Sequence, residues 1–139
     1  MWTSECPSVE EFGYIVDLLD DARGDSLSDA TALVLSRARE YNWTRALIIA
    51  SVDALLHADP ELADRHSYQH VPVRGALTAL WSQALVQIWP RAVVLGALEC
   101  VIYNPGEPIV RLENMLPRIE DYQILQGFLD SVFLDGAVG

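Results

Sequence analysis

Apolar residues recur along most of this chain with the period of about 3.6 residues that marks one face of a helix. No segment sustains the alternation of a half-buried strand, so the pattern predicts an all-α protein. Ser8 and Glu11 form a capping box, Ser26 or Ser28 caps the second helix, and Pro90 separates two later helices. The predicted helices are 8–22, 28–42, 44–58, 73–88, 90–103, 108–116 and 118–134, with a short helical turn at 59–61.

The same period predicts which side chains face the core. In the first helix these are Val9, Phe12, Ile15, Val16 and Leu19. In the last helix they are Ile119, Tyr122, Leu125, Phe128, Leu129 and Val132. The third helix is apolar on nearly all sides, which is typical of a helix that is covered from more than one direction. Five side chains of this helix and of the one at 90–103 are predicted to be almost fully buried: Ile48, Val52, Leu55, Val94 and Leu98.

An internal repeat is the most informative feature of the chain. Residues 27–65 align without a gap to residues 73–111, a period of 46 residues, and eight of the 39 aligned positions are identical. The strongest match sets the segment 43–49 against 89–95, and each of these segments begins with Trp-x-Arg. Each unit is predicted to be one pair of helices.

Helix pairs that repeat at this period resemble the HEAT and armadillo families of helical repeat proteins. The resemblance implies a short α-solenoid of antiparallel helix pairs within a single domain, residues 1–139. Two units cannot bury their faces alone, so amphipathic capping helices are expected at both ends. The predicted units are 27–65 and 73–111, and the predicted caps are 8–22 and 118–134.

The shared Trp-x-Arg has a structural and a functional interpretation. In the structural one, each Trp fills the corner between the two helices of its unit, and each Arg pairs with a carboxylate of the neighbouring unit. In the functional one, the second helices line a concave face that binds a ligand, as they do in solenoids. The candidate residues for that face are Arg45, Asp53, Arg91 and Glu99.

Acidic residues dominate the charge of the chain. Asp and Glu number 20 against nine basic residues, all of them Arg, so the formal net charge is −11 at pH 7. Neutralising phosphates needs the opposite sign, so we expect no direct binding of nucleic acid. The net charge is −7 over residues 1–30, −4 over 105–139 and zero between them. These ends form either a solvated rim or a surface that steers a basic partner, with Asp17, Asp20 and Asp21 as candidate binding residues.

Sequence signals for a metal site or for catalysis are weak. His66 and His70 are four residues apart, a spacing that suits zinc on a helix, but Pro72 favours a solvated loop, and we expect no metal. Cys6 and Cys100 make no disulfide framework, which is typical of a reducing cytoplasm. The chain has no nucleophile elbow, phosphate-binding loop or dinucleotide-binding glycine motif, so we expect neither an enzyme nor a cofactor.

Residues 76–98 are very apolar, which makes a membrane-spanning segment one alternative. Pro90 and Arg91 interrupt that segment, and it lacks the uninterrupted run of about 18 apolar residues that a spanning helix needs. The first residues carry no basic region of the kind that opens a signal peptide. We therefore expect a cytoplasmic protein without a membrane span.

In size, charge and repeat type the chain resembles the small acidic immunity proteins that neutralise bacterial toxins. That resemblance implies a non-catalytic inhibitor that binds a basic toxin or nuclease and occludes its active site. Candidate aromatic anchors are Trp2, Tyr68 and Tyr103. A phage-encoded inhibitor of a host nuclease complex would share these features. The alternative from a different class is a structural or adaptor protein, or a homo-oligomer such as a homodimer, whose surface binds another helix.

Overall fold

The computed structural model describes residues 9–21, 26–58, 72–102, 116 and 118–134. These residues form helices and short connections without a β-strand, which confirms the all-α prediction for this part of the chain. The helices are α1 (Val9–Asp21), α2 (Leu27–Glu40), α3 (Arg45–Ala58), α4 (Val73–Gln87), α5 (Arg91–Ile102) and α6 (Ile119–Leu129). A π-helical turn, Asp130–Leu134, continues α6. The helical turn predicted at 59–61 lies outside the described residues, as does all of the helix predicted at 108–116 except Leu116, which is not helical.

Helix starts follow the local sequence. Ser26 is the N-cap of α2, because its Oγ accepts a hydrogen bond of 3.2 Å from the backbone N–H of Asp29. Thr44 does the same for α3, where its Oγ1 accepts from the backbone N–H of Leu47 at 3.3 Å. The counterpart of Thr44 in the second unit is Pro90, whose fixed φ suits the start of α5.

Two short loops join α2 to α3 and α4 to α5. Such short connections place consecutive helices antiparallel and side by side, so each loop closes a helical hairpin. Each loop turns through one left-handed residue, Asn42 with φ of 53° and Ile88 with φ of 52°. These two residues are one repeat period apart. The repeat therefore encodes the same turn twice.

The hydrogen bonds that end α2 and α4 are also equivalent. The backbone N–H of Trp43 donates to the carbonyl of Ala38 at 3.0 Å, and that of Trp89 donates to the carbonyl of Ala84 at 3.2 Å. Each bond reaches back across the left-handed residue to the last turn of the helix, which satisfies a carbonyl that has no partner within the helix. Both Trp side chains are buried, with exposed fractions of 3% and 0%. Trp43 and Trp89 are therefore alike in burial and in the backbone hydrogen bond that each makes.

The two hairpins close a ring of four helices. α2 packs against α3 and α5, and α4 packs against the same two helices, whereas contacts across the ring are fewer. α1 packs mainly on α3, and α6 packs on α5. In a solenoid, each helix would instead lie mainly against the equivalent helix of the next unit. The predicted solenoid is therefore not confirmed, and the contacts are those of a four-helix bundle with one helix added on each side.

The core runs through this ring. Ile48, Val52, Val94 and Leu98 are 0% exposed and Leu55 is 2% exposed, which confirms the five predicted core residues. α3 and α5 each contribute more buried residues than any other described helix, because each is covered by two ring neighbours and by a flanking helix.

The predicted inner face of α1 is partly wrong. Val9 is 89% exposed, Phe12 48% and Val16 56%, whereas Ile15 and Leu18 are buried. α1 has apolar residues on more than one side, and its contact with α3 covers only the side that carries Ile15 and Leu18. Ile119, also predicted to face inward, is 60% exposed as the first residue of α6.

Candidate partner-binding surface

Arg45 and Arg91 lie at the first residues of α3 and α5, at the end of the bundle that carries the two short loops. Arg45 donates from Nη2 to the carbonyl of Ala84 in the second hairpin, at 2.7 Å. Arg91 donates from Nε to the carbonyl of Trp43 at 2.5 Å and from Nη2 to that of Ala38 at 3.1 Å. Each Arg thus reaches the C-terminal turn of the first helix of the other hairpin, α4 for Arg45 and α2 for Arg91. A cation there also interacts favourably with the helix dipole.

This exchange changes the structural interpretation of Trp-x-Arg. The sequence predicted a carboxylate partner in the neighbouring unit, but the described partners of Arg91 are backbone carbonyls. Ala38 and Ala84 are one repeat period apart, as are Arg45 and Arg91, so the two contacts are related by an approximate two-fold axis between the hairpins. Both Arg side chains therefore have a structural task in joining the hairpins.

Glu99 is buried in α5, at 3% exposed, and forms an ion pair with Arg39 of α2. The side chain of Arg39 is 48% exposed, so the ion pair between α2 and α5 has one buried partner and one that reaches solvent. In the other unit the counterparts are Asp53 and Leu85, which cannot form such a pair. Asp53 instead interacts with His57 of its own helix, with 3.3 Å between Oδ1 and Nδ1.

Arg39 was not singled out from the sequence, although the repeat contains a signal for it. Arg39 of the first unit aligns with Leu85 of the second, so only the first unit has a cation at this place. The carboxylate that aligns with Asp53 of the first unit is the longer Glu99 in the second. Two open clefts meet at Arg39. One, of about 330 Å³, also involves Arg91, Ala92, Leu95 and Gly96. The other, of about 490 Å³, also involves Leu35, Ser36 and Glu40.

The four residues predicted for a concave face do not share one surface. Arg45 acts across the seam between α3 and α4, whereas Arg91 and Glu99 act across the seam between α2 and α5. These seams lie on opposite sides of the ring. Asp53 makes its contact within α3. The ring geometry therefore separates the candidates that a solenoid would have aligned.

The acidic candidates lie on α1. Asp17 and Asp20 are exposed, and neither faces the contact between α1 and α3. Asp21 forms an ion pair with Arg37 of α2, in which its side chain is 51% exposed. Asp21 therefore helps to hold α1 against the ring, and the carboxylates that project from the outer side are those of Asp17, Asp20 and Glu10.

The exposed side of α1 also carries apolar residues that the sequence assigned to the core. Val9, Phe12 and Val16 are spaced i, i+3 and i+7, which places them in one stripe along the helix. At about 100° per residue, Asp20 projects beside that stripe and Asp17 lies about 60° further round. We call this combined surface the α1 outer face: Val9, Phe12, Val16, Asp17 and Asp20.

An aromatic pair extends from α1 to the first loop. The rings of Tyr14 and Tyr41 are stacked, with centroids 6.2 Å apart and an interplanar angle of 24°, and both residues are exposed. Tyr14 also lies 6.4 Å from the ring of buried Trp43. This contact connects α1 to the loop between α2 and α3.

His66 and His70 lie outside the described residues, as do Cys6, Trp2, Tyr68 and Tyr103. Within the described ranges, no three His, Cys, Asp or Glu side chains converge as metal ligands would. Cys100 is a buried free thiol. None of the described helices is long and apolar enough to cross a membrane.

Comparison with family models, with curated proteins and with solved structures finds no match to this chain.

Proposed function

We propose that this protein is a non-catalytic binding protein that uses the α1 outer face to capture a basic protein partner and acts as a small acidic inhibitor of the toxin-immunity type. The observation that carries the proposal is the exposure of Asp17 and Asp20 on a helix whose buried side packs mainly on α3. The net charge of −11 supplies a long-range field of the same sign. Such a surface attracts a basic toxin or nuclease and covers its active site.

The other charged candidates support a binding role without chemistry. Arg91 is held by two backbone carbonyls, and Glu99 is buried in an ion pair with Arg39. Arg39 and Arg91, the two cations that line the clefts, are thus engaged in contacts between helices. A cytoplasmic site of action fits this proposal, since the buried Cys100 is a free thiol.

The test begins with capture of the partner from the source cells, with this chain as bait, followed by purification of the captured protein. Association rates are then measured at two salt concentrations for the wild type and for Asp17→Arg/Asp20→Arg. We expect the double substitution to slow association by about tenfold or more and to weaken its salt dependence, because exposed charges act mainly on encounter. Asp21 is left unchanged, since a new Arg there would lie beside Arg37.

A matched control carries the same change in net charge elsewhere. Glu40→Arg/Gln87→Arg/Gln123→Arg adds the same four charges at exposed positions of α2, α4 and α6. Circular dichroism verifies the fold of both variants. If the control slows association as much as the test variant does, or if the captured partner is acidic, the proposal is wrong.

A further inference from the structure

We infer that the partner presents an amphipathic helix to the α1 outer face, with apolar side chains in its centre and cationic side chains at its edge. This inference rests on the proposed function and specifies the partner's chemistry. The apolar stripe is its first support. Val9, Phe12 and Val16 extend over seven residues, about 10 Å or two helical turns, which is the span that successive anchors of a docked helix cover.

The second support is the acidic edge. Asp17 and Asp20 lie next to the apolar stripe and not on the far side of the helix, so one partner surface meets both. A helix that pairs apolar residues with Lys or Arg one turn away satisfies both at once. The α1 helix of a second copy does not, because α1 contains five acidic residues, Glu10, Glu11, Asp17, Asp20 and Asp21, and no basic one.

The third support is Gly13, which at about 100° per residue lies between Asp20 and Asp17, on the acidic edge beside the stripe. Glycine in the middle of a helix is unfavourable compared with alanine. Apart from its chain neighbours and the backbone of α1 itself, a Cβ at position 13 would have no atom of the described residues within 4 Å, so packing against the other described helices does not require the glycine. Gly75 and Gly127 also have open space, but only Gly13 lies on α1, beside the exposed apolar stripe. A notch at this place lets a partner backbone approach α1 closely.

The experiment titrates the full chain with three synthetic peptides and follows α1 by NMR. The first peptide is an amphipathic helix of Leu and Lys, the second has the same composition in an order that destroys the apolar face, and the third replaces Lys with Glu. We expect the Leu–Lys helix to bind at least about tenfold more tightly than either of the others, with shifts at the α1 outer face. Equal binding of the scrambled or the acidic peptide would overturn the inference.

Substitutions then locate the site. Phe12→Ser/Val16→Ser should weaken binding of the Leu–Lys helix by about tenfold or more, because two anchors are lost. The matched control, Val86→Ser/Ile119→Ser, changes two other exposed apolar residues on α4 and α6 and should leave binding within about twofold. Loss of binding in the control, or none in the test variant, contradicts a site on α1.

Gly13→Ala separates binding from folding. It should raise the unfolding midpoint, because alanine favours the helix. It should also weaken binding of the Leu–Lys peptide by about threefold or more, because the added methyl group fills the notch. Gly127→Ala is the control, since it adds the same methyl group to an exposed position of α6 and should leave peptide binding unchanged. A Gly13→Ala variant that binds as tightly as the wild type removes the notch from the site and overturns this inference.

Two further outcomes decide the occupant and separate this inference from the proposed function. A concentration-dependent dimer that Phe12→Ser/Val16→Ser dissociates would make a second copy the occupant and overturn the inference. If association with the captured partner is slowed by Asp17→Arg/Asp20→Arg but unchanged by Phe12→Ser/Val16→Ser, the proposed function stands and the inference fails. If no basic partner is captured, the proposed function fails, and the peptide titrations alone decide the chemistry of the surface.

Discussion

Position 88 places a β-branched residue in the left-handed region, with φ of 52°. The Cβ of an L-residue lies too close to the following carbonyl in this conformation, and Asn tolerates it better than Ile does. The first unit uses Asn42 at the same place, with φ of 53°. The two loops therefore differ in strain although their backbones are alike.

This difference predicts that Ile88→Asn stabilises the protein. We expect the free energy of unfolding in urea to rise by about 1 kcal/mol, because the left-handed penalty falls. Little apolar burial is lost, since Ile88 is 69% exposed. The opposite exchange, Asn42→Ile, should lower the same free energy by a similar amount. A decrease with Ile88→Asn would show that the Ile88 side chain contributes more contact than its exposure indicates.

At the scale of the elements, each hairpin ends in contact with a flanking helix and with the other hairpin. Trp89 packs edge-on against Phe128 of α6, with centroids 5.4 Å apart, and Trp43 lies near Tyr14 of α1. Arg45 and Arg91 then join the hairpins through carbonyls. The Trp-x-Arg of each unit thus contributes to one interface with a flanking helix and to one between hairpins.

We predict that Arg91→Met and Arg45→Met each lower the free energy of unfolding by about 1–3 kcal/mol. The reason is the loss of charge-assisted hydrogen bonds to carbonyls in partly buried surroundings. Arg118→Met is the control, because its side chain is 71% exposed and its ion pair with Glu120 is long, at 3.9 Å. It should change stability by less than about 0.5 kcal/mol. Equal losses at all three positions, measured by chemical denaturation, would contradict a specific role for the exchange between hairpins.

At the scale of the whole molecule, the ring makes the two hairpins depend on each other. In a solenoid, a terminal unit can open while the next unit stays folded, because each unit contacts only its neighbours along the axis. In the ring, opening α2 exposes both α3 and α5, and opening α4 exposes the same two helices. The core is therefore shared by all four helices.

Native-state hydrogen exchange should show this dependence. We predict that the slowest amides of α2, α3, α4 and α5 exchange with one common free energy, because they need the same global opening. Amides of α1 and of the π-helical turn after α6 should exchange through smaller openings, since these segments lie outside the ring. Slow amides of α2 that open at a distinctly lower free energy than those of α5 would favour independent repeat units.

Much of the secondary structure could be predicted from the sequence. α3 was predicted at 44–58 and begins at Arg45, and α4 was predicted at 73–88 and ends at Gln87. The five predicted core residues are buried. α3 and α5 are apolar on nearly all sides, so the prediction did not depend on choosing the correct buried face. α1 is different, since its apolar residues cover more than one side and the period alone cannot choose between them.

Local patterns were enough to predict the described helices, a serine cap for α2 and the shared Trp-x-Arg of the two hairpins, because each depends on residues within a few positions or on direct comparison of two segments. The predicted Ser8–Glu11 capping box lies partly outside the described residues. Only the tertiary structure decided how the hairpins meet, since Arg39 and Glu99 are 60 positions apart and no local pattern relates them. The candidate surface also depends on the tertiary structure. The charges of Asp17 and Asp20 are evident in the sequence. The apolar stripe beside them is exposed because α1 packs on α3 with the side that carries Ile15 and Leu18. Helical periodicity is local, whereas the choice of a buried face is a competition between distant surfaces for the same contact.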